Sequence, residues 1–201
     1  MAYSILFNTL ENEVARRTCE ELRAEGHKVY MAATQEALEE VMSTIGDSLD
    51  MVVLSIADST QTDHHTIRTG LDMDAILDVA SEKAAGILTM AKATIPYLRN
   101  GKRKRIALLT DETASIRESR EESDYGYHMS QAAADMVMKI LFNTYRPEGF
   151  TFRCFAESPK GGMSAAEYLL TEQSYIETDD YIHSDENRLV LRDGFLREIT
   201  W

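Results

Sequence analysis

The sequence predicts one α/β domain over residues 1–201, built as a doubly wound parallel sheet between two layers of helices. Segments rich in β-branched and aromatic residues alternate with segments of helical apolar spacing from one end to the other. The run "DMVVLSIA" (50–57) is apolar throughout, which is typical of a strand buried on both faces. The 201 residues, 44% of them hydrophobic, suit one sizeable core, and no repeat or linker divides them.

The first half of the chain is predicted to hold three strands, each followed by a helix. Gly26 is expected to end the first helix, Thr34 to cap the second and Gly46 to end it. The predicted strands are 3–7, 27–33 and 50–57, and the predicted helices are 10–25, 35–45 and 73–98.

The second half is predicted to continue the alternation. Residues 111–125 are charged and lack periodicity, so they are expected to form a loop, and the acidic run 177–186 a solvated surface segment. The predicted strands are 104–110 and 150–156, with a last strand or hairpin arm at 188–194. The predicted helices are 125–145 and 163–173, and a turn covers 158–162.

Composition excludes several classes of partner. The formal net charge of −13 repels phosphate backbones and anionic membranes, so neither nucleic acid nor a membrane surface is expected. No apolar run approaches the ~20 residues that span a bilayer. The first residues lack the basic segment of a secretory signal peptide. Cys19 and Cys154 are predicted to be buried free thiols. Both observations favour a cytoplasmic location.

Five segments together resemble the short-chain dehydrogenases/reductases, the extended-Rossmann family of NAD(P) enzymes. They match that family in the right order over most of the chain, which implies a Rossmann-like, three-layer fold. The segments are "ELRAEGHKVYMAAT", "LDMVVLSIAD", "AAGILTMAKATIPYLRNGKRKRIALLT", "YHMSQAAADMVMKILFNTYRPEGFTFRCF" and "VLRDGFLREITW".

The resemblance places the family's cofactor loop, TGxxxGIG, on Asn8–Ala15, where Thr9, Glu13 and Ala15 replace the three glycines. In that family the glycines allow a tight turn and a close approach of backbone to diphosphate. Glu13 instead adds bulk and negative charge. Glutamates in a first helical turn can also satisfy its amides. We therefore expect no nicotinamide cofactor.

The family's active-site YxxxK pattern falls on Tyr127 and Gln131, so the tyrosine is kept and the lysine is lost. A neutral amide cannot lower a phenol's pKa as a lysine does. The family's serine falls on Thr110 or on Asp111, and Asp111 would oppose ionisation of the phenol.

Two further family positions are altered. The family's asparagine in the fourth helix falls near Lys83 or near Ala80, depending on the spacing. Its "NNAG" element falls on Ser55–Asp58, and both amides are gone.

The loop "TDHHT" (62–66) contains Asp63, His64 and His65. Adjacent histidines on a regular strand point to opposite sides, and no third ligand has convincing spacing, so no metal is expected. A solvated loop is favoured. In the resembled family this loop borders the pocket, where His64 or His65 could contact a ligand.

Three functions remain open from the sequence. The favoured one is a repurposed, non-catalytic binding or assembly subunit, because the glycines and the lysine are lost together. The alternative is an NAD(P)-dependent oxidoreductase that uses Tyr127 as its acid and base with an atypical cofactor loop. The third is an enzyme that needs no nicotinamide and uses Tyr127, Thr110 and the histidines.

The sequence also predicts an oligomer and leaves a small-molecule ligand open. The helices at 82–98 and 125–145 are rich in Ala, Met, Ile and Leu, and the resemblance implies that they form an interface across a two-fold axis. Trp201 is expected to pack against the protein, because burying an indole ring is worth roughly a few kcal/mol.

Overall fold

The fold was analysed in a computed structural model of the chain. It describes residues 1–58, 65–157, 161–171, 175–177, 182–184 and 188–201. Asp63 and His64, most of the predicted turn at 158–162 and most of the acidic run 177–186 lie outside the described residues.

A sheet forms the centre of the molecule. The described strands are β1 (Ser4–Phe7), β2 (Lys28–Met31), β3 (Met51–Ser55), β4 (Arg105–Thr110), β5 (Thr151–Ala156), β6 (Tyr175–Glu177), β7 (Ile182–Ser184), β8 (Leu191–Arg192) and β9 (Glu198–Ile199). Seven of them form the central sheet, with the strand order β2-β1-β3-β4-β5-β8-β9. The pairs from β2 to β8 are parallel, as predicted.

The end of the chain departs from the predicted alternation. β8 and β9 form an antiparallel pair at the sheet edge, and β6 and β7 form a separate antiparallel pair. The segment predicted to be solvated, 177–186, contains the end of β6 and all of β7. Strands of two or three residues are too short for their periodicity to be read from sequence.

Five helices flank the sheet: α1 (Glu13–Ala24), α2 (Gln35–Ile45), α3 (Met73–Asn100), α4 (Tyr125–Tyr145) and α5 (Ala165–Leu170). Thr34 caps α2 as predicted, its hydroxyl accepting a hydrogen bond from the Ala37 amide. In the part of the chain that the structure describes, no helix combines the length and the apolar character needed to cross a membrane.

The first helix begins three residues later than the sequence predicted. Asn12 is its N-cap, with an extended backbone and a side-chain oxygen that accepts from the Ala15 amide. Thr9 holds the preceding turn by accepting from the Glu11 amide at 3.1 Å. The apolar Leu10 suggested helical periodicity, but the capping side chain of Asn12 fixes the start.

The core lies on both faces of the sheet because alternate residues of each strand point to opposite sides. Leu6 and Leu54 pack beneath α2, α3 and α4, whereas Phe7 and Val53 pack beneath α1 and α5. Both cysteines are buried and free, as predicted. Trp201 packs against the larger cluster, which confirms its predicted packing.

Gly101 tests how tightly the end of α3 packs against the chain before β3. A Cβ at Gly101 would overlap the Leu49 carbonyl, whereas a Cβ at Gly86, inside α3, would meet no atom within 4 Å. We expect Gly101→Ala to lower the free energy of unfolding by about 1–3 kcal/mol. The control Gly86→Ala should raise it by about 0.5–1 kcal/mol. Urea denaturation measures both, and equal effects would contradict this packing.

Candidate functional site

A cavity of about 430 Å³ lies at the carboxyl edge of the sheet. β1 and β3 are neighbours there, and the chain leaves them in opposite directions, which is where open α/β sheets bind ligands. The residues around the cavity come from the loop after β1, the loop after β3 and the middle of α3. They include Asn8, Thr9 and Glu11, then Ser55, Ala57 and Asp58, and then Glu82 and Lys83.

Asn8 holds the two loops of this edge together. Its amide nitrogen donates to the Ser55 carbonyl at 2.9 Å, and its amide oxygen accepts from the Ser55 backbone N–H at 2.8 Å. This pair of bonds fixes the end of β1 against the end of β3. The side-chain amide of Asn8 is therefore committed to the backbone of β3.

Asp58 occupies the N-terminus of α1. Its carboxylate accepts from the Glu13 backbone N–H at 3.1 Å and from the Asn12 side-chain amide at 2.8 Å. The sequence had suggested the glutamates of the loop as the groups that satisfy these amides. The structure assigns the role to Asp58, since the positive end of a helix dipole attracts an anion from a neighbouring loop as readily as from its own turn.

The predicted Tyr127, Gln131 and Thr110 meet in one network. Gln131 donates its side-chain N–H to the Tyr127 hydroxyl at 2.7 Å, and its side-chain oxygen accepts from the Thr110 hydroxyl at 2.8 Å. The Tyr127 hydroxyl donates to the Asp111 carboxylate at 3.0 Å. The phenol's carboxylate partner is therefore Asp111, while Thr110 orients the amide.

This environment keeps the phenol of Tyr127 protonated. Burial is the largest cause that raises its pKa above the ordinary value, and the Asp111 carboxylate adds to the rise. The hydrogen bond from Gln131 opposes the shift. The expectation that Asp111 would oppose ionisation is confirmed, and Gln131 does not reverse that effect.

Lys83 lies beside the same phenol. Its Nζ donates to the Ala57 carbonyl at 2.7 Å and lies 5.8 Å from the centroid of the Tyr127 ring. Burial lowers the Lys83 pKa, although neighbouring carboxylates, Asp58 among them, oppose the change. Of the two positions considered for the family's asparagine, Lys83 is the one that contacts the site.

Sequence reasoning missed two members of the network. The Thr113 hydroxyl donates to the other oxygen of the Asp111 carboxylate and lies 3.0 Å from His128 Nδ1. The His128 ring packs edge-on against Tyr127, with 5.5 Å between centroids. The available signals were local, because His128 follows Tyr127 and Thr113 stands two residues after Asp111, a spacing typical of an Asx turn.

Of the histidine loop at 62–66, the structure describes only His65 and Thr66. His65 is exposed and is not among the residues that line the cavity, whereas His64 lies outside the described residues. Within the described ranges, no three His, Cys, Asp or Glu side chains are grouped as metal ligands.

Solved structures show the same architecture. A protein from Burkholderia multivorans designated a short-chain alcohol dehydrogenase is 13% identical, with a TM-score of 0.66 over 100% of both chains. The chain has the short-chain dehydrogenase/reductase fold. The NADPH-bound carbonyl reductase from chicken fatty liver is 14% identical, with a TM-score of 0.61 over 99% of this chain and 88% of the other.

Another Burkholderia multivorans structure with this fold contains bound NADP. It is designated a short-chain dehydrogenase/reductase and is 11% identical, with a TM-score of 0.62 over 100% of both chains. At such identities the likeness establishes the fold.

Sequence similarity is confined to a shorter stretch. C-signal of Myxococcus xanthus is 36% identical over 67 residues, which are 33% of this chain and 40% of that protein. The match thus covers less than half of C-signal's length. No family model matches the chain.

Removing the Asp111 charge should lower the pKa of Tyr127. We expect Asp111→Asn to bring ionisation of this phenol to lower pH, because the carboxylate repels the phenolate and accepts a hydrogen bond from the protonated hydroxyl. Alkaline titration of tyrosinate absorbance measures the change, and subtracting the curve of Tyr127→Phe isolates one of the nine tyrosines. As a control, Glu112→Gln removes one negative charge at the neighbouring position and should leave the titration curve of Tyr127 unchanged. An unchanged curve in Asp111→Asn would contradict the assignment.

Proposed function

We propose that this chain is a short-chain dehydrogenase/reductase scaffold that has lost nicotinamide binding and serves as a cytoplasmic binding or assembly subunit. The observation that carries the proposal is the Asp58 carboxylate, hydrogen-bonded to the first turn of α1. A helix N-terminus at this edge is the usual position of a cofactor diphosphate. A carboxylate and a diphosphate compete for the same backbone donors.

The residues of this chain do not fit a diphosphate. Asp58 already satisfies the Glu13 amide, and Glu11 adds a second carboxylate to the lining of the cavity. Two unit charges ~4 Å apart repel by ~4 kcal/mol at an effective dielectric constant of ~20. Repulsion of that size weakens binding by roughly a thousandfold.

The Tyr127 network supports the same conclusion. A general acid and base works best when its pKa lies near the working pH. Burial and Asp111 shift the pKa of Tyr127 away from that range, and the neutral amide of Gln131 adds no positive charge. The phenol is placed to bind and orient a ligand through its hydroxyl.

The alternative is an NAD(P)-dependent oxidoreductase that uses Tyr127 as acid and base. It is favoured by the NADP and NADPH in solved structures of this fold. It is also favoured by Lys83, which brings a cation to the Tyr127 ring from α3. Under this alternative, Lys83 supplies the positive charge that the family's lysine supplies at the position of Gln131.

Calorimetric titration separates the two functions. We expect the wild-type chain to give no saturable heat with NADPH, NADP⁺, NADH or NAD⁺. The double variant Asp58→Ala, Glu13→Gly should bind at least one of them, because it removes two carboxylates and leaves the backbone amide of residue 13 without its side-chain acceptor. Glu20→Gln, an exposed change on the same helix, should behave as wild type. Micromolar binding by the wild-type chain would instead establish the oxidoreductase.

We also propose that the chain forms a dimer through α3 and α4. The two helices pack side by side, and each exposes large apolar side chains. These are Leu77 and Leu88 on α3 and Met129, Met136 and Ile140 on α4. Exposed apolar stripes of this kind mark interaction surfaces, and a two-fold pairing is the commonest arrangement.

Light scattering tests the dimer. We expect a mass twice the 22.7 kDa of the chain, and Leu88→Glu with Ile140→Glu should reduce it to one chain, because each change places a charge in the apolar contact. Ile67→Glu changes an equally apolar, 77% exposed residue away from these helices and should leave the mass unchanged. A monomer at micromolar concentration would overturn this proposal.

A further inference from the structure

A second cavity, also of about 430 Å³, lies on the other side of the Tyr127 network. It is bounded by α4, by the turn that follows β4 and by the C-terminal residues. Its lining is mainly apolar, with charged side chains at the rim and one buried carboxyl group, Asp135. The apolar members are Ala114, Ile116, Ala132, Met136, Leu189 and Trp201, and the members at the rim are Lys139, Arg188 and Glu198.

Asp135 is the unexplained group in this cavity. Its side chain is on α4 one turn beyond Gln131, and the residue is only 6% exposed. Neither carboxyl oxygen has a hydrogen-bond partner among the described residues. Burial, with a smaller effect of Asp111, raises its pKa to about 8. Burying a carboxyl group without a partner costs free energy, so such a group in a native structure requires an explanation.

We propose that this cavity binds a small organic amine whose ammonium group pairs with Asp135 and whose apolar part lies against Trp201. An ammonium group supplies the donors that both oxygens of Asp135 lack. The indole of Trp201 offers an apolar surface and a face that attracts cations. The remaining lining accepts a short alkyl or aryl group, and the volume suits a small molecule.

The cations at the rim have other partners. Arg188 forms an ion pair with Glu198, with 2.5 Å between Nη2 and Oε2. Lys139 Nζ lies 5.3 Å from the centroid of the Phe142 ring. Neither of these contacts involves Asp135. The other carboxylate that acts on Asp135 is Asp111, which already accepts from Tyr127 and Thr113.

This site is independent of the proposed loss of nicotinamide binding. The lining of the Asp135 cavity shares no residue with that of the cavity at Asn8 and Asp58. Met136 belongs to the lining and also to the exposed stripe of α4, so the cavity opens beside the proposed dimer contact.

Trp201 reports directly on this cavity because it is the only tryptophan of the chain. Three probes of matched size, hexylamine, hexan-1-ol and hexanoate, are titrated into the full chain while tryptophan fluorescence is followed. We expect saturable binding that is at least ~10-fold tighter for hexylamine than for either other probe. Tighter binding of hexanoate would overturn the proposal and assign the cavity to an anion at Lys139 and Arg188.

Variants separate the Asp135 carboxylate from the shape of the cavity. Asp135→Asn keeps the shape and should weaken hexylamine at least ~10-fold, because the ion pair is lost. Asp78→Asn, an exposed aspartate on α3, should bind as wild type. Ala132→Phe fills the cavity from α4 and should abolish binding. If Asp135→Asn does not fold, Ala132→Phe and the pH series below still test whether the amine binds in this cavity.

The pH dependence gives a second readout. Hexylamine remains an ammonium ion in this range, whereas Asp135 must ionise to pair with it. Affinity should therefore rise between about pH 6 and about pH 8, by up to ~10-fold per unit, and then level off. Asp135→Asn should remove this slope. A flat profile in the wild-type chain, or hexylamine affinity that survives in Asp135→Asn, would overturn the proposal.

Discussion

The contact between the Asp58 carboxylate and the first turn of α1 organises the carboxyl edge of the sheet. It joins the loop after β3 to the helix after β1, two segments that are 45 residues apart at Glu13 and Asp58. A carboxylate supplied by the protein thus takes the position at which a helix N-terminus would receive a phosphate. Under the proposed function, filling that position from within removes the need for glycine at Thr9 and Glu13.

The same chemistry recurs beside α4. Asp111 at the end of β4 accepts from Tyr127 and Thr113, much as Asp58 accepts from Asn12 and α1. Both carboxylates lie at the carboxyl ends of neighbouring strands, so they give this edge of the sheet negative charge. An edge that binds a dinucleotide instead attracts the negatively charged phosphates. Lys83 lies beside Tyr127 and is attracted to Asp58, and it offsets part of that charge.

The fold could be read from the sequence wherever apolar periodicity was long. The bounds of β3, α3 and α4 were predicted to within a few residues. These elements contain 5, 28 and 21 residues, and their apolar residues follow a clear pattern. The β6–β7 pair and β9 were missed because strands so short carry no pattern, whereas β8 lies within the predicted strand or hairpin arm at 188–194. The start of α1 was misplaced because the Asn12 cap, not the apolar spacing, decides it.

The candidate site was predictable in its residues and less so in its contacts. Tyr127, Gln131 and Thr110 were found because the resemblance fixes their spacing on α4 and β4. The Asp58 contact joins loops that are far apart in sequence. The Asp135 cavity depends on the C-terminal residues packing beside α4, with Trp201 and Asp135 lining one space. No local pattern encodes either arrangement.

The state of the Glu13 backbone amide tests the central claim most directly, because Asp58 is its hydrogen-bond acceptor. Heteronuclear NMR of the isotope-labelled chain follows this amide as NADPH is added. The account predicts that the Glu13 resonance stays in place in the wild-type chain and changes on Asp58→Asn, which removes the charge of its acceptor. A saturable shift of the wild-type Glu13 resonance with NADPH would show phosphate reaching the helix terminus and would contradict the account.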